Sequence, residues 1–403
     1  MSTAPSRRSV LGFLGTAPVA AGLATAGLVT AAPGAAADPN ARSTPPRDSV
    51  PRDLLPGGRL DRYVAERAAA GQFSGTVLVA HRGRPVLTRS HGLADESRGI
   101  PNGTDTSFDL ASMTKSFTGV AVARLAQDGK LGFHEPLGTY LDGFPADVAK
   151  ATVHQLLTHT SGVGRPSKTD QRPPGEDDWD SEDDIWQGMR AFLRTLPLRF
   201  PPGTQYGYSN DGYFVLGAIV AAVSGQSYYD YVRRNVFAPA GLTDTDFFTR
   251  PAVLADRRIA HGYVTQPSGE RVDITTTPWL PYVGSPYHGA FSSAPDLLRF
   301  ATALHGNRLL SGPFTRVVTS GRHALGPGDR PPVLPGETQF YGYGHSESVT
   351  AKRRVVGHSG SGPGRATNLD AFPDNDWLVV VLTNHDTGVK PIVALARELV
   401  PPS

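Results

Sequence analysis

The sequence predicts an α+β fold: an antiparallel sheet built from both ends of the folded chain, flanked by helices, with a mainly helical lobe inserted in the middle. Strand-like apolar runs lie near the start and again near the end of the folded region, and patterns of helical spacing fill the interval. No internal repeat divides the chain, so the two groups of strands belong to one body. A chain of 403 residues can bury a large core, and 39% apolar residues is the proportion of an ordinary globular protein.

The first 37 residues read as something other than fold. Arg7 and Arg8 precede a weakly apolar stretch rich in Ala, Gly and Thr, with Pro18 inside it, and the small residues Ala35-Ala36-Ala37 follow. That is the layout of a twin-arginine export signal cleaved after Ala37, rather than of a membrane anchor, and it predicts a secreted or extracytoplasmic protein. Residues 38–54, with Pro39, Pro45, Pro46 and Pro51 among polar neighbours, read as an extended linker, leaving 55–403 as one domain. The chain contains no cysteine, so neither a disulfide framework nor lipid attachment to cysteine is available. Removal of Arg7 and Arg8 takes the formal charge from +2 to about 0, which favours neither nucleic acid nor an anionic membrane as partner.

Within the domain, residues 60–70 form a plausible helix stopped by Gly71. Two β-rich runs, 75–80 and 85–90, joined by His81-Arg82-Gly83-Arg84, read as a hairpin. Residues 112–127 carry apolar Phe117, Val120, Ala121 and Leu125 at helical steps, with Gly129 as the stop. Further helical stretches fall at 153–157, 185–196, 213–223, 228–236 and 296–304. Strand patterns return at 354–358, 366–372 and 377–383, and 390–400 closes the chain as a helix. The acidic run 176–184 lacks the ligand spacing and turn glycine of a calcium loop and reads as a solvated loop. No His, Asp or Glu spacing implies a metal, and no cofactor is expected.

Three elements carry chemistry. In Ala111-Ser112-Met113-Thr114-Lys115, serine and lysine stand three residues apart at a helix start, which puts both on one face about one turn apart. A serine hydroxyl is a poor nucleophile without such a base. Tyr208 and Asn210, two apart in Tyr206-Gly207-Tyr208-Ser209-Asn210, can point into one cleft from an extended loop. A phenol whose pKa is lowered by a neighbouring lysine can take the serine proton and return it to a leaving group. In His358-Ser359-Gly360-Ser361 an apolar strand runs into small residues, and an edge strand of that kind lets a substrate backbone lie alongside.

Taken in this order, the three elements resemble the motif set of penicillin-recognising serine enzymes. The chain is similar to the branch holding class C β-lactamases and the D-alanyl-D-alanine carboxypeptidases and esterases related to them, where the second element is Tyr-x-Asn. Leu156-Leu157-Thr158-His159-Thr160-Ser161-Gly162, Pro202-Gly203-Thr204, Gly289-Ala290-Phe291 and Leu382-Thr383-Asn384 extend the resemblance over about Gly75 to Asn384. It implies a β-lactamase/transpeptidase-like fold and an acyl-enzyme on Ser112, with Lys115 and Tyr208 as proton-transfer partners and Asn210 as an orienting group. The backbone N–H groups of Ser112 and Ser361 would hold the oxyanion. His159, outside the three elements, reads as a loop-fixing residue.

His358 and Ser359 replace the Lys-Thr of lactamases, which weakens the case for an efficient β-lactamase and favours the carboxypeptidase-like or esterase-like members. With an ordinary pKa of ~6.5, His358 would help bind a substrate carboxylate only below neutrality. The substrate-binding set is therefore Asn210, His358, Ser359, Gly360 and Ser361, facing a small molecule or peptide. The alternatives are an esterase, transacylase or weak β-lactamase with the same residues, and a non-catalytic binding or assembly protein, which the intact Ser112, Lys115, Tyr208 and Asn210 disfavour.

Overall fold

The computed structural model describes residues 50–165 and 172–402. The export signal expected over 1–37 and most of the linker lie outside the described residues. The packed unit begins at Val50 rather than Leu55: Arg52–Leu54 form a 3-10 turn, and Leu54 is fully buried in one core with Leu60 and Val64. A lone leucine among prolines and charges carries no periodic signal, so the sequence pattern places this boundary a few residues late.

Eight strands form the main sheet: β1 Gly75–His81, β2 Arg84–His91, β3 His323–Ala324, β4 Thr338–Tyr341, β5 Ser346–Thr350, β6 Arg353–Gly362, β7 Arg365–Phe372 and β8 Trp377–Thr383. Their order is β2-β1-β8-β7-β6-β5-β4-β3, and every neighbouring pair is antiparallel. The two ends of the domain meet where β1 pairs with β8, from Gly75 opposite Thr383 to His81 opposite Trp377. Gly75 is required there, since a Cβ would stand 1.9 Å from the Leu382 carbonyl oxygen. The expected sheet is thus present, extended by β3 to β5, whose short, Gly-flanked and Ser/Thr-rich segments carry little apolar alternation.

The helices that matter here are α1 Arg59–Ala69, α2 Lys115–Gln127, α3 Asn210–Ser224, α4 Ala294–His305 and α5 Lys390–Leu399. All seven residues of β8 are buried because both faces of the sheet are covered. Alternation divides them: Val379 and Val381 join the core with α1 and α5, and Val380 and Leu382 join the larger core with α2 and the helical lobe. Buried Arg397 fastens α5 to the sheet through the Asp370 carboxylate, with nitrogen–oxygen distances of 2.7 and 2.8 Å. Helix α2 is buried from Lys115 through Ala123 and at Leu125, the signature of a central helix rather than an amphipathic surface one.

Two helices depart from expectation for identifiable reasons. The helix expected over 185–196 spans Glu182–Leu193, because the Ser181 hydroxyl caps the Asp184 N–H and the three acids favour the positive end of the helix. Much of the acidic run is therefore a helix start, and Arg172 pairs with Glu176 and Asp177 before it. Among the described residues no acid or histidine group could hold a metal. Tyr228–Val232 is helical but passes into a π-turn over Arg233–Phe237, next to Pro239, which has no N–H to continue the regular ladder. No helix among the described residues is long and apolar enough to cross a membrane.

Candidate active site

Ser112 sits in a 3-10 turn, Ala111–Thr114, that leads directly into α2, so Lys115 is the first residue of that helix and points back along the turn. Lys115 is 0% exposed, and its Nζ lies 3.2 Å from Ser112 Oγ, 2.8 Å from Asn210 Oδ1 and 2.9 Å from the Tyr287 carbonyl oxygen. Burial drives its pKa well below that of an ordinary lysine. The amide and carbonyl oxygens can only accept, so a neutral Lys115 spends its two N–H donors on them and turns its lone pair toward the Ser112 hydroxyl.

The Tyr208 phenol stands near enough to the Ser112 hydroxyl for the serine to lower its pKa. Its phenol does not behave as expected: although 39% of the residue is exposed at the cleft, the desolvation of its hydroxyl end pushes it up to about 12, against smaller lowering effects of Ser112 and Arg330. The expected lowering by Lys115 presupposed a charged ammonium, and a buried, neutral amine exerts no such pull. The Lys115 Nζ nonetheless lies 4.8 Å from the Tyr208 ring centre, close enough for proton exchange through the serine or a water.

Asn210 is not in an extended loop. Ser209 caps α3 by accepting from the Gly212 N–H at 2.9 Å, so Asn210 is the first helical residue and Tyr208 the last of the loop. His159 holds that loop in place. Its carbonyl accepts from the Gly207 N–H at 2.8 Å, its Nδ1 accepts from the Ser209 N–H at 3.1 Å, and its ring centre lies 4.2 Å from that of Tyr208. Those bonds bracket Tyr208, and they require the Nε2–H tautomer.

The third element differs from expectation in two ways. Strand β6 is interior rather than an edge strand, but β5 covers only Arg353–Gly357, while pairing with β7 continues to Gly362. Residues 358–362 therefore have one edge free of strand pairing, beside the nucleophile. A Cβ on Gly360 would stand 2.9 Å from the Ser112 nitrogen and 2.2 Å from the Leu110 oxygen, so the strand lies in backbone contact with the turn. Ser361 is exposed at the end of this stretch.

His358 does not offer a free imidazole titrating near neutrality. It is 5% exposed, its Nδ1 donates to the Ser359 carbonyl oxygen at 2.6 Å, and its Nε2 accepts from the Tyr341 hydroxyl at 3.0 Å. Burial, reinforced by the Arg330 guanidinium, holds its pKa well below that of an ordinary histidine, so the ring is neutral in physiological conditions. The cation in this part of the site is Arg330, which donates to the hydroxyls of Ser359, at 2.9 Å, and Ser346. No carboxylate lies within ion-pair reach of Arg330 among the described residues. Neither Arg330, in a Gly/Pro-rich loop, nor Tyr287, which acts through its backbone carbonyl, carried a signal in the sequence.

A family model described as Beta-lactamase matches residues 60–399. The chain is 31% identical over 342 residues to Penicillin-binding protein 4* of Bacillus subtilis (strain 168), a match covering 81% of this chain and 72% of that protein. The crystal structure of a penicillin binding protein from Bacillus halodurans superposes with a TM-score of 0.69 at 27% identity, over 84% of this chain and 99% of that one. The D-amino acid amidase from Ochrobactrum anthropi SV3 shares the fold, with a TM-score of 0.67 at 21% identity, over 85% of this chain and 98% of that one. Fold and site together define a penicillin-binding-like protein on the serine β-lactamase scaffold, a class made up in general of serine hydrolases that work through an acyl-enzyme. The chain belongs to the Beta-lactamase family.

Proposed function

We propose that this protein is an exported serine hydrolase that cleaves D-amino-acid peptides through an acyl-enzyme on Ser112, in the manner of a D-alanyl-D-alanine carboxypeptidase. The observation that carries the reading is the open edge of β6 at residues 358–362 beside Ser112, since an extended peptide can add to such an edge through its backbone. The twin-arginine pattern over 1–37 supports export of the folded enzyme to where such peptides occur.

Lys115 takes the Ser112 proton as Oγ attacks the carbonyl carbon. The N–H groups of Ser112 and Ser361 stabilise the oxyanion. Tyr208, protonated because its pKa is about 12, gives its proton to the departing amine and recovers one from Lys115. Water then attacks the ester with Tyr208 and Lys115 exchanging the proton in the reverse sense. Intact mass spectrometry with a fluorescent penicillin tests the nucleophile: one adduct on the parent and none on Ser112→Ala is the expected result, and equal adducts on both would remove Ser112 from the role.

Arg330 favours a substrate with a free carboxylate on the leaving-group side, since no acid among the described residues pairs with the guanidinium beside Ser359. Arg330→Ala should raise KM about tenfold or more for a peptide ending in D-Ala-D-Ala, by loss of a charge-assisted bond, and leave a carboxamide-capped peptide nearly unchanged. Equal effects on both peptides would rule out this contact. The second reading, an esterase, is favoured by the neutral His358 in place of lysine; a p-nitrophenyl ester turned over while the peptide is untouched would select it.

A further inference from the structure

The residue before the nucleophile is held in a conformation it would not choose. Ala111 has φ 45°, in the left-handed region where a Cβ crowds the backbone, and it is buried. Glycine adopts that region freely and alanine does not, so something must hold Ala111 there. Its N–H donates to Asp109 Oδ1 at 2.7 Å. The other oxygen of the same carboxylate lies 3.2 Å from Arg365, the first residue of β7, with both side chains largely buried. Arg365 stands opposite Gly362 in the β6–β7 hairpin, and one residue on, Ala366 stands opposite Ser361. From the same hairpin Thr367 Oγ1 donates to the Leu110 carbonyl at 2.9 Å.

We infer that the Asp109–Arg365 pair is a positioning clamp: it keeps the turn at Ala111 left-handed and ties that turn to the hairpin carrying Ser361, so that two backbone N–H groups face one oxyanion. The inference rests on Ser112 being the nucleophile, as proposed above. Neither residue touches the substrate in this scheme. Without the carboxylate, Ala111 is free to return to negative φ, and the peptide plane that carries the Ser112 N–H turns with it. The clamp therefore acts on the transition state, where the oxyanion exists, and not on substrate binding.

The test is a double-variant cycle on the mature protein with p-nitrophenyl acetate, following the acylation burst. Asp109→Ala should slow acylation about tenfold or more with KM little changed. Combined with Ala111→Gly, which takes the left-handed conformation without help, the same substitution should slow acylation by less than about threefold. Asp109→Asn, which keeps an acceptor for the Ala111 N–H, should fall between. An Asp109→Ala effect as large in the Ala111→Gly background as in the parent overturns the clamp. The same cycle read by thermal unfolding is independent of activity: the fall in Tm caused by Asp109→Ala should be smaller when Ala111→Gly is already present, and an equal fall overturns the clamp as well. If the parent shows no burst at Ser112, the hydrolase reading fails on that arm, and the Tm cycle still decides the clamp.

Discussion

Lys115→Met should slow acylation of Ser112 by about three orders of magnitude, within the range of an optimally placed general base. The expectation follows from the hydrogen-bond inventory at Nζ. Asn210 Oδ1 and the Tyr287 carbonyl take two donors, and a depressed pKa removes the third proton, so the remaining lone pair serves the hydroxyl 3.2 Å away. Tyr208→Phe should behave differently. Its phenol is protonated, so its removal should slow cleavage of a D-Ala-D-Ala peptide about a hundredfold or more, but acylation by a p-nitrophenyl ester far less, because that leaving group departs without a proton. The pH profile has the same origin. Acylation by the ester should rise along a single acid limb as Lys115 loses its proton, at a pH well below an ordinary lysine's, with no basic limb before the phenol titrates near 12. Equal losses for ester and amide in Tyr208→Phe, or a wild-type rate in Lys115→Met, would reverse the assignment of base and acid.

Much of this arrangement was legible in the sequence because it depends on local spacing. Ser112 and Lys115 meet since three residues is one turn, and the strands at 75–81 and 377–383 carry the continuous apolar runs of a sheet covered on both sides. What stayed hidden depends on burial and on partners distant in the chain. The direction of the Tyr208 shift turns on whether Lys115 is charged, and that turns on how fully α2 is enclosed. Likewise, the histidine of the third element looks like a pH-sensitive ligand until Tyr341, 17 residues earlier, is found on its Nε2. Arg330 reaches Ser359 from a loop without periodicity. Ala111 is an ordinary residue in every respect except a backbone angle that only the folded chain imposes.

Stability should fall steeply between about pH 6.5 and 4, and the wall behind Tyr208 should be where acid acts. His159, His345 and His358 are 0%, 3% and 5% exposed, and burial lowers the pKa of each: His345 to about 4, and His159 and His358 well below an ordinary histidine. A depressed imidazole stays neutral in the folded state while the unfolded chain gains a proton as pH falls below ~6.5, so its stabilisation is full above that value and is lost on the way down to the folded pKa. At about 1.4 kcal/mol per unit, His345 alone accounts for about 3 kcal/mol by pH 4, and the other two add with the same sign. Folded domains have a margin of only about 5–15 kcal/mol, so the loss is a large fraction of the total. Carboxylates do not explain this window. Burial pushes Asp95 up, but hydrogen bonds from Ser97 and Arg98 bring it down to about 2, so its contribution is lost only below an ordinary aspartate's pKa. Urea unfolding at about pH 7, 6, 5 and 4 should show the midpoint dropping through this range, and His345→Gln, which keeps a donor for the Tyr343 carbonyl but cannot titrate, should flatten the curve. A midpoint constant from about pH 7 to 5 would mean that these imidazoles are hydrated in solution, and the neutral His358 assigned to the third element would fall with them.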